Sequence, residues 1–389
     1  MRRVSLAILL VTKALYGESI STEDYEIASY CLPSRPVIDE KVEIKENVVI
    51  KEKCLKAEGD KFSPRDIRVA DPKFTFSGYF TASYVQPLVT NAHYAAEAIP
   101  LPLPTPNWVI NEINPCFHVA YDVGVVGIIH SSQSYVKLNW RHLCSFDSST
   151  VYVPESDMLG PFFSIGPDAS PYSTATGKVN YYLQEGTVNY GTPIEVGSKL
   201  LAELYMGVNY AYISQKLEYF YANSSEEISR SIFTPSTFSG AGPQIGTTLA
   251  FHLIDGLDLV MGAAGSLMYG PVSNGTKYES TSPLLSGLDI TAPNTQTTTM
   301  ASRNQLVPSF DGQAGIAYTQ AFCKCSKVAI EAGFRAQVYL GALQSVDMGS
   351  EVPLDSIYAS TVGVYARTFQ KNISNLALAG PYLSIALQF

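Results

Sequence analysis

The chain ends Pro381-Tyr-Leu-Ser-Ile-Ala-Leu-Gln-Phe389, and this stretch decides how the rest is read. Leu383, Ile385, Leu387 and Phe389 fall on one face, with Tyr382, Ser384, Ala386 and Gln388 on the other. That two-residue period is a strand with unlike faces. Alternation running to a final aromatic residue is the pattern of the closing strand of a bacterial outer-membrane β-barrel. In such barrels the terminal aromatic, here Phe389, is recognised by the barrel-assembly machinery. Gly380 and Pro381 predict a bend, because Leu376 and Leu378 sit one residue out of step with Leu383. Any half-buried strand alternates, so the reading depends on what the chain upstream supplies.

Upstream, similar stretches recur. Phe76, Gly78, Phe80, Ala82 and Tyr84 share a face against Ser77, Tyr79, Thr81 and Ser83. Phe117, Val119, Tyr121, Val123 and Val125 alternate with His118, Ala120, Asp122 and Gly124, and Val136, Leu138 and Trp140 with Lys137, Asn139 and Arg141. Further strands are predicted at 178–190, 200–219, 239–253, 257–270, 306–321, 327–343 and 376–389. The connections alternate in length. Residues 89–114, 146–176 and 271–303 and the polar NSSEEISRS stretch read as loops, whereas Gly197-Ser-Lys199, Ile254-Asp-Gly256 and CKCS read as tight turns. The fold class is therefore all-β: an antiparallel transmembrane β-barrel of about ten strands, with long external loops and short periplasmic turns. The count rises to twelve if 355–368 and part of 150–165 also pair. A soluble sandwich has strands of only about 5–6 residues and no reason for the loop asymmetry.

Composition agrees. Charged residues are 16% of the 389-residue chain, against about 25% in soluble proteins. No run approaches the ~20 apolar residues of a membrane-spanning helix. The net charge of −9 argues against nucleic acid as a partner. Arg2 and Arg3 followed by VSLAILLV read as an export signal over 1–19. The Lys- and Glu-rich residues 20–73 read as a charged periplasmic extension, and 74–389 as the barrel. Export permits oxidation of the six cysteines, Cys31, Cys54, Cys116, Cys144, Cys323 and Cys325. Cys323-Lys-Cys325 is too short for an ordinary metal or redox motif, so cross-linking, to self or to other envelope proteins, and idle thiols both stay open.

With the aliphatic and aromatic face toward lipid, the other face lines the lumen. It places Asp122, Lys137, Arg141, Asp258, Asp311, Glu331 and Arg335 there as pore-lining residues, with Glu203 beside them. Symmetric turns predict Asp122 opposite Lys137, His118 opposite Arg141 and Asp311 opposite Arg335. Glu185 breaks the pattern: if Val179, Tyr181 and Leu183 face out, so does Glu185, unless a bulge turns it inward. The charges either form an ion-selective constriction or neutralise one another and plug a narrow bore.

Several segments resemble the major outer membrane protein family of Legionella and Chlamydia-like bacteria. They are FHVAYDVGVV, YVKLNWRHL, MGVNYAYISQKL, GAGPQIGTTLAFHLIDGLDLVMGAAGSLMYG, LVPSFDGQAGIAYTQAF, VAIEAGFRAQVYLGAL and GPYLSIALQF. The resemblance covers most of 75–389. It implies a bacterial outer-membrane barrel with a porin-like or surface-structural role, passing ions or small solutes and building the envelope. The alternative is an adhesin or structural envelope protein with an occluded lumen. The resemblance brings no catalytic residues and no cofactor, and its cysteine-linked envelope complexes are a parallel for Cys323 and Cys325. No GxSxG elbow, HExxH or phosphate loop occurs, and His118 and His142 are expected on opposite faces, so neither catalysis nor a metal site is expected.

Overall fold

The computed structural model describes residues 74–389 apart from 90–91, 99–107, 130–131, 155–157, 162–171, 198, 224–228, 281–293, 324–325, 352–364 and 389. The export signal over 1–19, the extension over 20–73 and Phe389 lie outside the described residues. Ten long strands make the wall: β1 (Phe74–Val89), β4 (His118–Ile129), β5 (Ser134–Tyr152), β7 (Thr174–Val196), β8 (Leu200–Ala222), β9 (Ser229–Ile254), β10 (Leu257–Ser280), β12 (Arg303–Cys323), β13 (Ser326–Glu351) and β14 (Tyr365–Gln388). Each pairs antiparallel with its neighbours in chain order, β1 pairs with β14, and the ring is complete. The closing pair brings Ala82 opposite Leu383 and Gly78 opposite Leu387. A ring leaves no edge that lipid would have to satisfy. β11 (Asn294–Thr299) adds to the far end of β10. β2 (His93–Ala98), β3 (Trp108–Glu112) and β6 (Met158–Pro161) form a separate small sheet.

The wall strands run 12 to 26 residues, well beyond the ~9–11 a membrane crossing takes. Their side chains show where the lipid ends. In the half nearer the short turns, the outward positions are apolar and exposed: Val123 and Val125, Leu138 and Trp140, Val188 and Tyr190, Leu204 to Val208, Ile245 to Phe251, Leu383 to Leu387. Further along the same strands, without a register shift at the change, the apolar residues move to the inward positions. β8 passes from outward Leu204, Met206 and Val208 to inward Ile213, Leu217, Tyr219 and Tyr221. β7, β9, β10 and β14 do the same, with inward Tyr181 and Leu183, Ile232 and Phe238, Met268 and Val272, and Leu376 and Leu378. The lower half is thus a membrane barrel, greasy outside, and the upper half a water-surrounded barrel, greasy inside. Outward Tyr121, Trp140, His142, Tyr182 and Tyr212 pack ring against ring, mostly T-shaped, across β4, β5, β7 and β8 at the change of polarity. They make an aromatic girdle of the kind found at membrane interfaces. Beyond it the outward face turns polar, as with Lys277 and Glu279, 2.7 Å apart.

This inversion corrects several expectations. β14 keeps one register through Gly380-Pro381: both pair with β13, at Arg335 and Phe334, the pairing with β1 resumes beyond them without a shift, and Leu376 and Leu378 face the interior of the upper barrel. No bulge occurs near Glu185, because Val179, Tyr181 and Leu183 all point inward with it. Parts of the predicted loops 89–114, 146–176 and 271–303 and of NSSEEISRS are strand: His93–Ala98, Trp108–Glu112 and Met158–Pro161 form the small sheet, and the others extend or flank the wall strands above the membrane. Tyr365–Thr368 belong to β14 and Met158–Pro161 to the small sheet, so neither adds a stave, and 355–364 lie outside the described residues. The hairpins are centred further along the chain than expected: Asp122 faces Arg141 and Lys137 faces Val126, while Arg335 faces Gln313 and Asp311 faces Gln337. Of the tight turns, Ile254-Asp-Gly256 is confirmed, with Gly256 at φ +77° where a side chain would be strained.

Candidate functional site: two tiers of side chains across the lumen

Halfway up the bore, β4, β5 and β7 set Asp122, Arg141 and Glu185 side by side, all inward. They are buried, with exposures of 2%, 4% and 4%. Arg141 Nε donates to Asp122 Oδ1 (2.6 Å), and Nη1 donates to Glu185 Oε2 (3.4 Å) and to Gln337 Oε1. Across the bore on β13, Arg335 Nε donates to both Asp311 oxygens (2.9 and 3.1 Å), and its Nη1 reaches Asp122 Oδ2 (3.2 Å). The Arg335–Asp311 pair therefore forms along a diagonal, two residues off the direct register. Gln337 Nε2 donates to both Glu185 oxygens (3.2 and 3.0 Å), and Asn209 Nδ2 to Glu185 Oε1 (2.8 Å) and Ser266 Oγ (3.3 Å). Ser266 Oγ and Ser309 Oγ are 2.6 Å apart. Side chains from β4, β5, β7, β8, β10, β12 and β13 thus meet in one hydrogen-bonded tier. Three carboxylates against two guanidiniums hold one another there by charge-assisted bonds.

Above this tier the bore is filled by apolar and tyrosine side chains. Leu143, Tyr181, Leu183, Ile213, Phe238, Met268, Val307, Tyr339 and Leu343 are buried in one cluster with Tyr94, Ala95 and Ile113. The small sheet is thereby packed against the inner wall. Tyr94 lies over Gly177 of β7, where a Cβ would come within 2.7 Å of its ring, and its hydroxyl sits 3.1 Å from Ser149 Oγ. Tyr221 donates to the Tyr94 carbonyl. Buried Arg230 lies between the Tyr172 and Tyr278 rings, 5.5 and 5.2 Å from their centroids, a cation–π arrangement.

Below the tier a cavity of about 320 Å³ reaches the short-turn end. Lys137, Glu203, Asp258 and Glu331 line it, with Tyr79, Tyr135, Tyr205 and Tyr382. Lys137 Nζ sits 4.7 Å above the Tyr79 ring. The Tyr382 hydroxyl donates to Glu331 Oε1 (2.6 Å), and Asp258 is 2.9 Å from His252 Nδ1.

The expected lumen residues are thus divided: Asp122, Arg141, Asp311 and Arg335 meet in the tier, and Lys137, Asp258 and Glu331 lie below it. Glu185 and Gln337 were missed, although they knit the tier together. Glu185 follows a run whose apolar members pointed to lipid, and Gln337 carries no charge to draw attention. His118 faces Asp147 (2.8 Å) rather than Arg141, and the same carboxylate accepts the Cys116 N–H (2.9 Å), so the pair fastens the start of β4 to β5. His142 is outward in the aromatic girdle, so the two histidines do not converge. The side chains of Cys323 and Cys325 lie outside the described residues. Among the described residues no group of His, Cys, Asp and Glu has the arrangement of a metal site.

A family model described as Legionella pneumophila major outer membrane protein precursor matches residues 71–389. No curated protein sequence matches the chain. Solved structures with a similar course include the outer membrane protease OmpT of Escherichia coli, at 10% identity and a TM-score of 0.35, covering 84% of this chain and 99% of that one. The Pseudomonas putida toluene transporter TodX follows at 7% identity and 0.30, covering 81% and 89%. A Pseudomonas aeruginosa FadL homologue has 8% identity and 0.23, covering 81% and 90%. Likenesses at these scores carry no argument about activity.

Proposed function

The chain belongs to the Legionella major outer membrane protein family, in the bacterial outer membrane, and from that premise we propose that it is a closed-lumen envelope barrel rather than an open diffusion pore or an enzyme. One observation supports the reading: two levels of side chains cross the bore, the hydrogen-bonded Arg141–Asp122–Glu185–Arg335 tier and the buried apolar cluster above it. An ion moving through would have to displace paired charges and then enter a packed apolar interior, where an unpaired charge is costly. On this reading the seven lumen residues act as a brace and a polar lower lining, and the partners are outer-membrane lipid and surface contacts. The upper barrel, polar outside and packed inside, is then a stalk that carries the external loops above the membrane.

A second reading, porin-like passage of small ions, is favoured by the lower cavity, since a purely structural barrel has no need of a polar cup that leads up to the tier. Liposome swelling separates the two. Vesicles carrying the folded protein should swell in small sugars and amino acids no faster than protein-free vesicles. Swelling that falls with solute size would establish the pore.

A further inference from the structure

The inward tyrosines of the lower barrel repeat one arrangement that closing the lumen does not require. Tyr79 on β1 stands directly opposite Gly124 on β4, Tyr135 on β5 opposite Gly191 on β7, and Tyr205 on β8 opposite Gly246 on β9. In all three the ring fills the space in which a Cβ on the glycine would sit. On the β13–β14 pair Tyr382 stands opposite Gly333, and its hydroxyl is 2.8 Å from where a Cβ on Gly315 of β12 would be. On the β10–β12 pair a glutamine does the covering, with Gln313 Cγ 3.0 Å from the Cβ position of the opposite Gly262. These five pairs are the five joined by external connections. Such connections leave six residues or more between the strands (223–228 is the shortest), against four or fewer at the short turns (130–133 is the longest). A tight turn fixes the register of the strands it joins, and a longer loop does not. A slip of two residues keeps every side chain on its own face, so the apolar pattern gives no protection against it. The glycines do. Such a slip sets Tyr205 opposite Gln244 or Thr248, Tyr79 opposite Asp122 or Val126, and Tyr135 opposite Asn189 or Pro193. Each of these brings a side chain into the space that the ring needs.

We propose that these tyrosine–glycine pairs are register locks, made while the barrel assembles, in the half of each strand farther from its external loop. A ring laid over a strand glycine supplies the cross-strand packing that glycine lacks, and it does so in one register only. The locks are independent of whether the bore conducts.

Folding of the urea-denatured full-length chain into lipid vesicles, timed by heat-modifiable gel mobility, tests the locks together with the unfolding rate of each variant. Tyr205→Ala should fold at least about fivefold more slowly than the parent and unfold within about twofold of it, because a contact made before the transition state is lost from the folding rate alone. Tyr205→Phe, which keeps the ring, should fold at the parental rate. So should Tyr190→Ala, on the lipid-facing side of β7. Unchanged folding with faster unfolding in Tyr205→Ala would make the ring late packing and overturn the proposal, as would equal slowing in Tyr205→Phe or Tyr190→Ala. Should Tyr205→Ala not fold, Tyr205→Leu decides: it keeps bulk without a ring and should also slow folding several-fold, and a parental rate rejects the lock.

Discussion

Arg141→Met is the most informative single perturbation of the tier. Arg141 is the guanidinium that Asp122 and Glu185 share, and its removal leaves Asp122, Glu185 and Asp311 facing Arg335 alone. All three groups of the central triple are almost wholly buried, so water cannot screen what remains. Breaking a buried ion pair from one side typically costs about 3–5 kcal/mol, much of it from the charge left behind. The expected loss for Arg141→Met is therefore ~3–5 kcal/mol, read by urea unfolding in lipid vesicles through tryptophan fluorescence. If stranded charge is the cause, Arg141→Met/Asp122→Asn/Glu185→Gln should recover most of that loss, although it removes still more of the network. A single variant that loses less than about 1 kcal/mol, the range of exposed pairs, would mean that Arg141 balances no buried charge. So would a triple variant no more stable than the single one.

Other outcomes follow from the change of polarity along the strands. Leu183→Ala, in the packed upper interior, should cost about 2–5 kcal/mol, and a loss under ~1 kcal/mol would place Leu183 on the lipid side. Val208→Lys, on the exposed apolar band of β8, should cost about 2–4 kcal/mol near the bilayer midplane, whereas Phe220→Lys, exposed on the same face above the girdle, should be nearly neutral. Gly242→Val should prevent β9 and β10 from pairing, because a Cβ there would lie 1.8 Å from the Leu267 carbonyl oxygen; retained heat-modifiable mobility would contradict this. Cys116, exposed near the long-loop end, should react on intact cells with a membrane-impermeant maleimide when the other cysteines are Ser, and failure to label would contradict the orientation.

Much of the membrane band is legible in the sequence, because lipid forces one rule on every stave. The outward sets on β1, β4, β8, β9, β10 and β14 follow directly from alternation. The upper barrel was misread because the rule reverses there. Tyr181, Leu183, Leu376 and Leu378 satisfy a lipid-facing pattern as well as an interior one. The distinguishing signal was the opposite face: Lys178 and Asn180 beside Tyr181, or Lys216 and Glu218 beside Leu217, are side chains that need water. The change of apolar parity within β14 is visible and points to a bend at Pro381, but a strand that leaves the membrane changes parity without any shift of register. Within the tier, Asp122, Arg141, Asp311 and Arg335 were recognisable as inward charges, but their partners depend on turn geometry. A shift of two or four residues keeps every side chain on its face and changes every neighbour.

Whether the bore is shut can be read by single-channel recording in planar bilayers. Purified, folded protein should insert without producing conductance steps in molar potassium chloride. Reproducible steps whose ion selectivity changes in Lys137→Ala or Arg335→Glu would show an open bore with the lower cup as its entrance.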